Sequence, residues 1–187
     1  MKYLIVGLGN IGSEYINTRH NIGFKILDAL GNASNISFED RRLAYRAEYK
    51  FKGRTFVLIK PTTYMNLSGK AVNYWLQKEK LSVDKLLVLV DDVALPFGAL
   101  RIRAKGADAG HNGLKDINLS LGHQNYARLR FGIGNDYPRG GQIKHVMGEW
   151  TDEEKASLSE RVDLAIEAVK SFGTIGIAST MNQFNNR

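Results

Sequence analysis

Tyr3-Leu4-Ile5-Val6-Gly7-Leu8-Gly9-Asn10 opens the chain with a continuous apolar run that breaks at glycine and delivers an asparagine. A run of this kind is the pattern of a strand covered on both faces, here Tyr3–Leu8. Lys85-Leu86-Leu87-Val88-Leu89-Val90 repeats the pattern and ends at Asp91. Helix-spaced segments separate and follow these strands. Asn21–Leu30 places Ile22, Ile26, Leu27 and Leu30 inward, with Gly31 as its stop. Ser68 is the expected N-cap of a helix through Lys80 that buries Val72, Trp75 and Leu76. Gly113–Leu121 reads as a short helix facing inward through Leu114, Ile117 and Leu121. Ala44–Lys52 and Thr55–Lys60 form a predicted hairpin around Lys52-Gly53. Leu100–Ala104 and Arg128–Ile133 alternate, which predicts one wet face for each. Thr151-Asp152-Glu153-Glu154 is a capping box that opens a last helix, predicted to stop at Gly173. Strands alternating with helices predict a single-domain α/β three-layer sandwich over residues 1–187, its mixed, largely parallel central sheet flanked by helices. The polar tail 181–187 is expected to be partly ordered at best.

Bulk properties narrow the chemistry. The 187 residues are 43% hydrophobic and 24% charged, as in ordinary globular proteins. There is no cysteine, which removes thiol nucleophiles, disulfides and thiolate metal sites. The first apolar run is too short for a signal peptide, and no stretch approaches the length of a membrane span, so a cytoplasmic location is expected. The net charge is +7, which suits a polyanionic partner or a phosphate-bearing substrate; a lysine-rich surface gives the same sum. Clustering favours the former: Arg101, Arg103 and Lys105 precede the Gly110–Gly113 island, and Arg128 and Arg130 follow it.

Polar islands follow the apolar runs. Gly7-Leu8-Gly9-Asn10-Ile11-Gly12 matches a dinucleotide fingerprint, but Ser13–Thr18 delay the helix and no second strand ends in an acid at the required distance. The glycines then serve to turn the chain sharply and leave Asn10 facing a cleft. Such sheets bind ligands beyond the carboxyl ends of their strands, which places Asn10 and Asp91 on one rim. His20 lies at a loop-to-helix junction, where it is either a polar helix-start residue or a general base. His111, His123 and His145 are scattered without metal spacing, so no metal is expected. Asp91 either fixes the tautomer of a histidine or caps the following turn, and Asp92 beside it competes for either task. Asn66 and Asn112 each precede a predicted helix, as caps or as amides that hold a peptide group or a developing oxyanion.

Seven segments in order resemble the bacterial peptidyl-tRNA hydrolase family: Val6–Asn10, Thr18–Gly23, Pro61–Gly69, Asp91-Asp92 with Leu95-Pro96, Gly110–Lys115, Arg128–Gly134 and His145–Met147. The resemblance spans nearly the whole chain. It implies a monomeric enzyme without cofactor or metal that hydrolyses the ester between a peptide and the 3′-terminal ribose of tRNA, freeing the tRNA for reuse in translation. By position, His20 resembles the family's general base, Asp91 its supporting carboxylate, and Asn10 the residue that helps separate N-blocked from free aminoacyl esters. Tyr15, Tyr64, Asn66 and Asn112 fall at substrate-contacting positions, and Arg103 and Arg130 near positions linked to tRNA phosphates. Ala94, Ile11, Tyr64 and Asp108 depart from frequent family residues. A non-catalytic RNA-binding relative of the same fold is the alternative, which the presence of His20, Asp91 and Asn10 opposes.

Overall fold

The structure is a computed structural model that describes residues 1–185 and residue 187. In chain order it runs β1 (Lys2–Gly7), α1 (Ile22–Ala33), β2 (Glu39–Arg41), β3 (Ala44–Phe51), β4 (Arg54–Pro61), α2 (Ser68–Lys78), β5 (Leu86–Asp92), β6 (Leu100–Arg103), α3 (Asn112–Leu121), β7 (Ala127–Gly132), α4 (Gln142–Val146) and α5 (Asp152–Phe184). Among the described residues seven strands form one sheet, ordered β2-β3-β4-β1-β5-β7-β6. The central strands β4, β1, β5 and β7 are parallel, whereas β2, β3 and β6 pair antiparallel at the two sides. The sheet is therefore mixed and largely parallel, as expected.

Because alternate residues of a strand face opposite sides, the apolar strands feed two separate cores. Ile5, Leu58, Leu87 and Leu89 pack against Ile22, Ile26 and Leu27 of α1 and Val162, Val169 and Phe172 of α5. Leu4, Val6, Val57, Val88 and Val90 pack against Val72 and Trp75 of α2 and Leu114 and Ile117 of α3. Fully burying one such aliphatic side chain stabilises by roughly 1.5–3 kcal/mol, so these two layers hold the rim rigid. The approach of α1 to β1 is close enough to demand glycine on both sides. A Cβ on Gly23 would lie 2.4 Å from the Leu8 nitrogen, and one on Gly7 would lie 2.3 Å from the Gly23 carbonyl oxygen.

Several expectations are corrected. Gly31 lies inside α1, which continues to Ala33. Ser68 is the first residue of α2, and its hydroxyl donates back to the Met65 carbonyl instead of capping an N–H. β6 has the predicted wet face, but every residue of β7 is buried, because the loop after β6 folds over the face of Arg128 and Arg130 and takes their hydrogen bonds at Gly106 and Ala107. The last helix does not stop at Gly173. It passes to Gly176, where φ of 87° breaks it, and a further helical stretch runs to Phe184. Phe184 is buried in the core. The Asn185 amide donates to the Ile102 carbonyl (3.1 Å) and accepts from the Ile102 N–H (2.7 Å), filling the outer side of β6. The tail is thus docked through Asn185, while Asn186 lies outside the described residues.

Candidate active site

Past Gly7 the chain keeps to the sheet for one more hydrogen bond, from the Leu8 N–H to the Leu89 carbonyl, and then leaves it at Asn10. Asn21 ties down this exit from both directions. The Asn10 N–H donates to Asn21 Oδ1 (2.9 Å), and Asn21 Nδ2 donates to the Asn10 carbonyl (2.8 Å). Residues 19–21 form a single helical turn, so fixing Asn21 brings His20 to the same rim. On its other side, buried Arg19 donates to the His145 carbonyl (2.8 Å) and to Glu154 (2.9 Å). Glu154 also closes the capping box of α5 with Thr151. His20 is therefore held between two anchored neighbours.

Asp91 shares the strand face of Leu87 and Leu89, toward α1. Its carboxylate lies 3.0 Å from His20 Nδ1 through either oxygen. A second imidazole arrives from the opposite layer: His111 Nε2 is 2.9 Å from Asp91 Oδ1. His111 is the N-cap of α3, its Nδ1 accepting the Gly113 N–H (3.1 Å) and, more weakly, the Leu114 N–H (3.4 Å). An imidazole nitrogen that accepts backbone N–H groups carries no proton, so Nε2 is the nitrogen that donates to Asp91. The expectation that His111 is merely one of several scattered histidines is thus corrected. Its position just before a helix was the signal available for a capping role, but contact with Asp91 exists only in the folded chain.

The electrostatics follow from this sharing. Burial works against a charge on Asp91, yet the imidazoles of His20 and His111 and their hydrogen bonds hold its carboxyl well below the usual range. Burial likewise disfavours a charged His20, but the Asp91 charge and hydrogen bond outweigh it and raise the imidazole above its ordinary 6.5. Asp92 takes the turn-capping role that Asp91 was weighed for, accepting from the Ala94 N–H (2.8 Å). The His20, Asp91 and His111 ligand atoms all lie within 4.8 Å of one another. Those atoms are already engaged in hydrogen bonds to each other, and the remaining nitrogen of His111 caps α3, so a metal would have to displace the network that orients the site.

Two cavities meet at His20. One, of about 270 Å³, is lined by His20, Asp91, His111, Asn112, Arg130 and Met147, among others. The other, of about 400 Å³, is lined by Asn10, His20, Tyr64, Met65, Asn66, Asn112 and Met147. Asn10 Oδ1 accepts the Met65 N–H (3.1 Å), which leaves Nδ2 to be offered to a ligand. Asn66 and Asn112 are exposed, and neither caps its helix: the N-caps of α2 and α3 are Leu67 and His111. Tyr64 is 77% exposed over the second cavity. Tyr15 is half-buried, where its carbonyl accepts from Thr18, and it lines neither cavity.

The arginines divide. Arg103 is exposed at the end of β6. Arg130 is mostly buried, with Nη2 donating to the Ala107 carbonyl (2.6 Å) and Nη1 3.8 Å from Asp92, yet it still lines the first cavity. Arg128 has no exposed surface. It donates to the carbonyls of Gly106 (2.8 Å), Ala107 (3.3 Å) and Gln124 (2.7 Å), so it fastens the loop after β6 and does not belong to the basic surface.

The model of the family described as "Peptidyl-tRNA hydrolase" matches residues 4–187. Proteins of that name from Phocaeicola vulgatus and Bacteroides fragilis are each 60% identical to this chain over 187 residues, covering all of both chains. The crystal structure of peptidyl-tRNA hydrolase from Acinetobacter baumannii superimposes with a TM-score of 0.91 at 32% identity, over 98% of this chain and 94% of that one. The rim that joins His20, Asp91 and three asparagines thus sits in a chain that belongs to the peptidyl-tRNA hydrolase family.

Proposed function

We propose that this enzyme cleaves the ester between a peptide, or an N-blocked aminoacyl group, and the 3′-terminal ribose of tRNA, with His20 as general base. The observation that carries the reading is His20 Nδ1 3.0 Å from buried Asp91, with the ring lining both cavities. With Nδ1–H on the carboxylate, Nε2 is free to take a proton from water, and Asp91 stabilises the imidazolium that forms. The water oxygen adds to the ester carbonyl, and the proton held by His20 returns to the leaving ribose oxygen as the tetrahedral intermediate collapses. Asn66 and Asn112 are the amide donors at hand for charge on the carbonyl oxygen.

His111 acts on Asp91, not on the substrate. Its donated hydrogen bond draws charge from the oxygen that it shares with His20, and this limits how far Asp91 raises the base. Arg130 in the first cavity and Arg103 at the end of β6 contact phosphates of the acceptor end, while Tyr64 covers the peptide side. Asn10 selects the substrate. Its Nδ2 donates to the carbonyl of a blocked amino group, which a free aminoacyl ester lacks. Tyr15 contributes by shaping the turn that ends at His20. The support for a chain that works alone, in the cytoplasm, is that one copy builds both cavities and that no described helix is long and apolar enough to cross a membrane.

The test is discharge of an N-acetyl-aminoacyl-tRNA beside its unblocked counterpart. Rapid release from the blocked ester alone is expected, and it should be lost in His20→Ala. Equal activity in a folded His20→Ala protein would defeat the base assignment.

A further inference from the structure

A third cavity continues the line. It holds about 400 Å³ and meets the second cavity at Asn10. Its walls include Ile11, Ile16, Phe24, Tyr45 and Lys60. Ile11, Ile16 and Tyr45 are 43%, 59% and 36% exposed, large apolar side chains that the core leaves uncovered. Lys60 adds no free charge here, and Lys25 is the other basic residue in the wall. The Lys60 ammonium pairs with Asp28 and sits 4.4 Å from the Phe38 ring centre and 5.6 Å from that of Tyr45. The Asn10 backbone N–H and carbonyl are both taken by Asn21, so where the second and third cavities share Asn10 it is the Asn10 side chain that is left for a ligand, with Ile11, Ile16, Phe24 and Tyr45 beyond it.

Through their shared lining residues the three cavities form a series, with Arg130 at one end, His20 and Asn10 in the middle, and at the other a wall of Ile11, Ile16, Phe24 and Tyr45 edged by Lys25 and the Lys60–Asp28 pair. A substrate whose ester lies at His20 has two arms. The polyanionic arm belongs at the arginine end, and the peptide must leave past Asn10. We propose that the third cavity is a subsite for the peptide residues N-terminal to the esterified one, and that it favours apolar and aromatic side chains there. This rests on the reading of His20 as the centre of ester cleavage. A single N-acetylated residue ends near Asn10, whereas an extended chain gains about 3.3–3.6 Å per residue and a tetrapeptide enters the groove. Burial of apolar side chains against Ile16 and Tyr45 then adds affinity in proportion to the area covered.

The test compares one tRNA carrying either an N-acetyl-aminoacyl ester or an N-acetyl tetrapeptidyl ester with three leucine or phenylalanine residues upstream. The double variant Ile16→Ser/Tyr45→Ala removes apolar surface from partly exposed positions; its thermal melt and Tyr45→Phe serve as controls. We expect kcat/KM for the tetrapeptidyl ester to fall five- to tenfold, mainly through KM, with Tyr45→Phe near wild type and the short ester within twofold of wild type. An unchanged ratio of long to short substrate would overturn the subsite. Equal loss on both substrates would also overturn it, since it would place the tRNA arm in the groove. Failure of the underlying reading is seen separately, as short-ester cleavage that persists in His20→Ala.

Discussion

The two sides of His20 are made rigid by different means. On the Asn10 side, position is set by side-chain amides and by a glycine-to-glycine approach of α1 to β1, contacts that tolerate almost no displacement. On the Arg130 side, the loop after β6 is held by guanidinium groups reaching backbone carbonyls of Gly106 and Ala107. Short neutral clamps suit a place where a carbonyl must be met within tenths of an ångström. Charged side chains holding a loop suit a surface that receives a phosphate backbone of variable sequence. On the proposed reading, chemistry and selectivity reside on one side and sequence-independent affinity on the other.

The strongest way to break this division is His20→Ala. Turnover should fall by up to about ten-thousand-fold with little change in tRNA binding, as read by single-turnover discharge. Asp91→Asn should also slow turnover, by up to about ten-thousand-fold, by freeing the ring to adopt the wrong tautomer. The pH profile supplies the sign. As the proposed base His20 has to be neutral to act, and Asp91 raises its pKa above 6.5, so the wild-type rate should fall as pH drops through that raised value. Removing the Asp91 charge moves the acid limb to lower pH; an unmoved limb would make Asp91 a purely structural residue. The stability that the charged pair lends runs oppositely, being full below 6.5 and lost as pH rises through the raised value.

A subtler test separates the two tasks of His111. Asn at this position can still cap α3 but cannot reach Asp91. His111→Asn should leave the melting temperature nearly unchanged, lower the rate about tenfold and move the acid limb to higher pH, because Asp91 then serves His20 alone. Asn10→Ala should narrow the preference for blocked over free esters by about tenfold, since one hydrogen-bond donor is lost from the selective side. The smallest effect belongs to the charged side. Arg103→Ala should weaken tRNA binding and reduce the dependence of log Kd on log salt by about one, leaving the blocked-to-free ratio unaltered. A change in that ratio would mix the two sides.

What could be read from the sequence follows the same line. Asn10 and Asp91 stood at the ends of continuously apolar strands, and His20 at a helix start, so their shared rim was legible from local pattern alone. The hairpin around Lys52-Gly53 and the capping box at Thr151 were equally local. Arg128 was misread because alternation along β7 shows polar residues, while the loop that covers its face and accepts its hydrogen bonds at Gly106 and Ala107 is brought there only by the fold. His111 escaped because its partner lies on a strand twenty residues earlier. Gly31 and Gly173 looked like helix stops because propensity for glycine is weak against packing: both sit in helices whose neighbours hold them in place. The predicted loose tail fails for one apolar residue, Phe184, which a polar composition concealed.

Asn185 carries a consequence for how copies of this protein meet. By mimicking a short strand against Ile102, its amide occupies the hydrogen-bonding positions that an incoming chain would use to extend the sheet beyond β6. One side chain thereby acts as a stopper against open-ended edge-to-edge stacking beside the exposed Arg101 and Arg103 of β6.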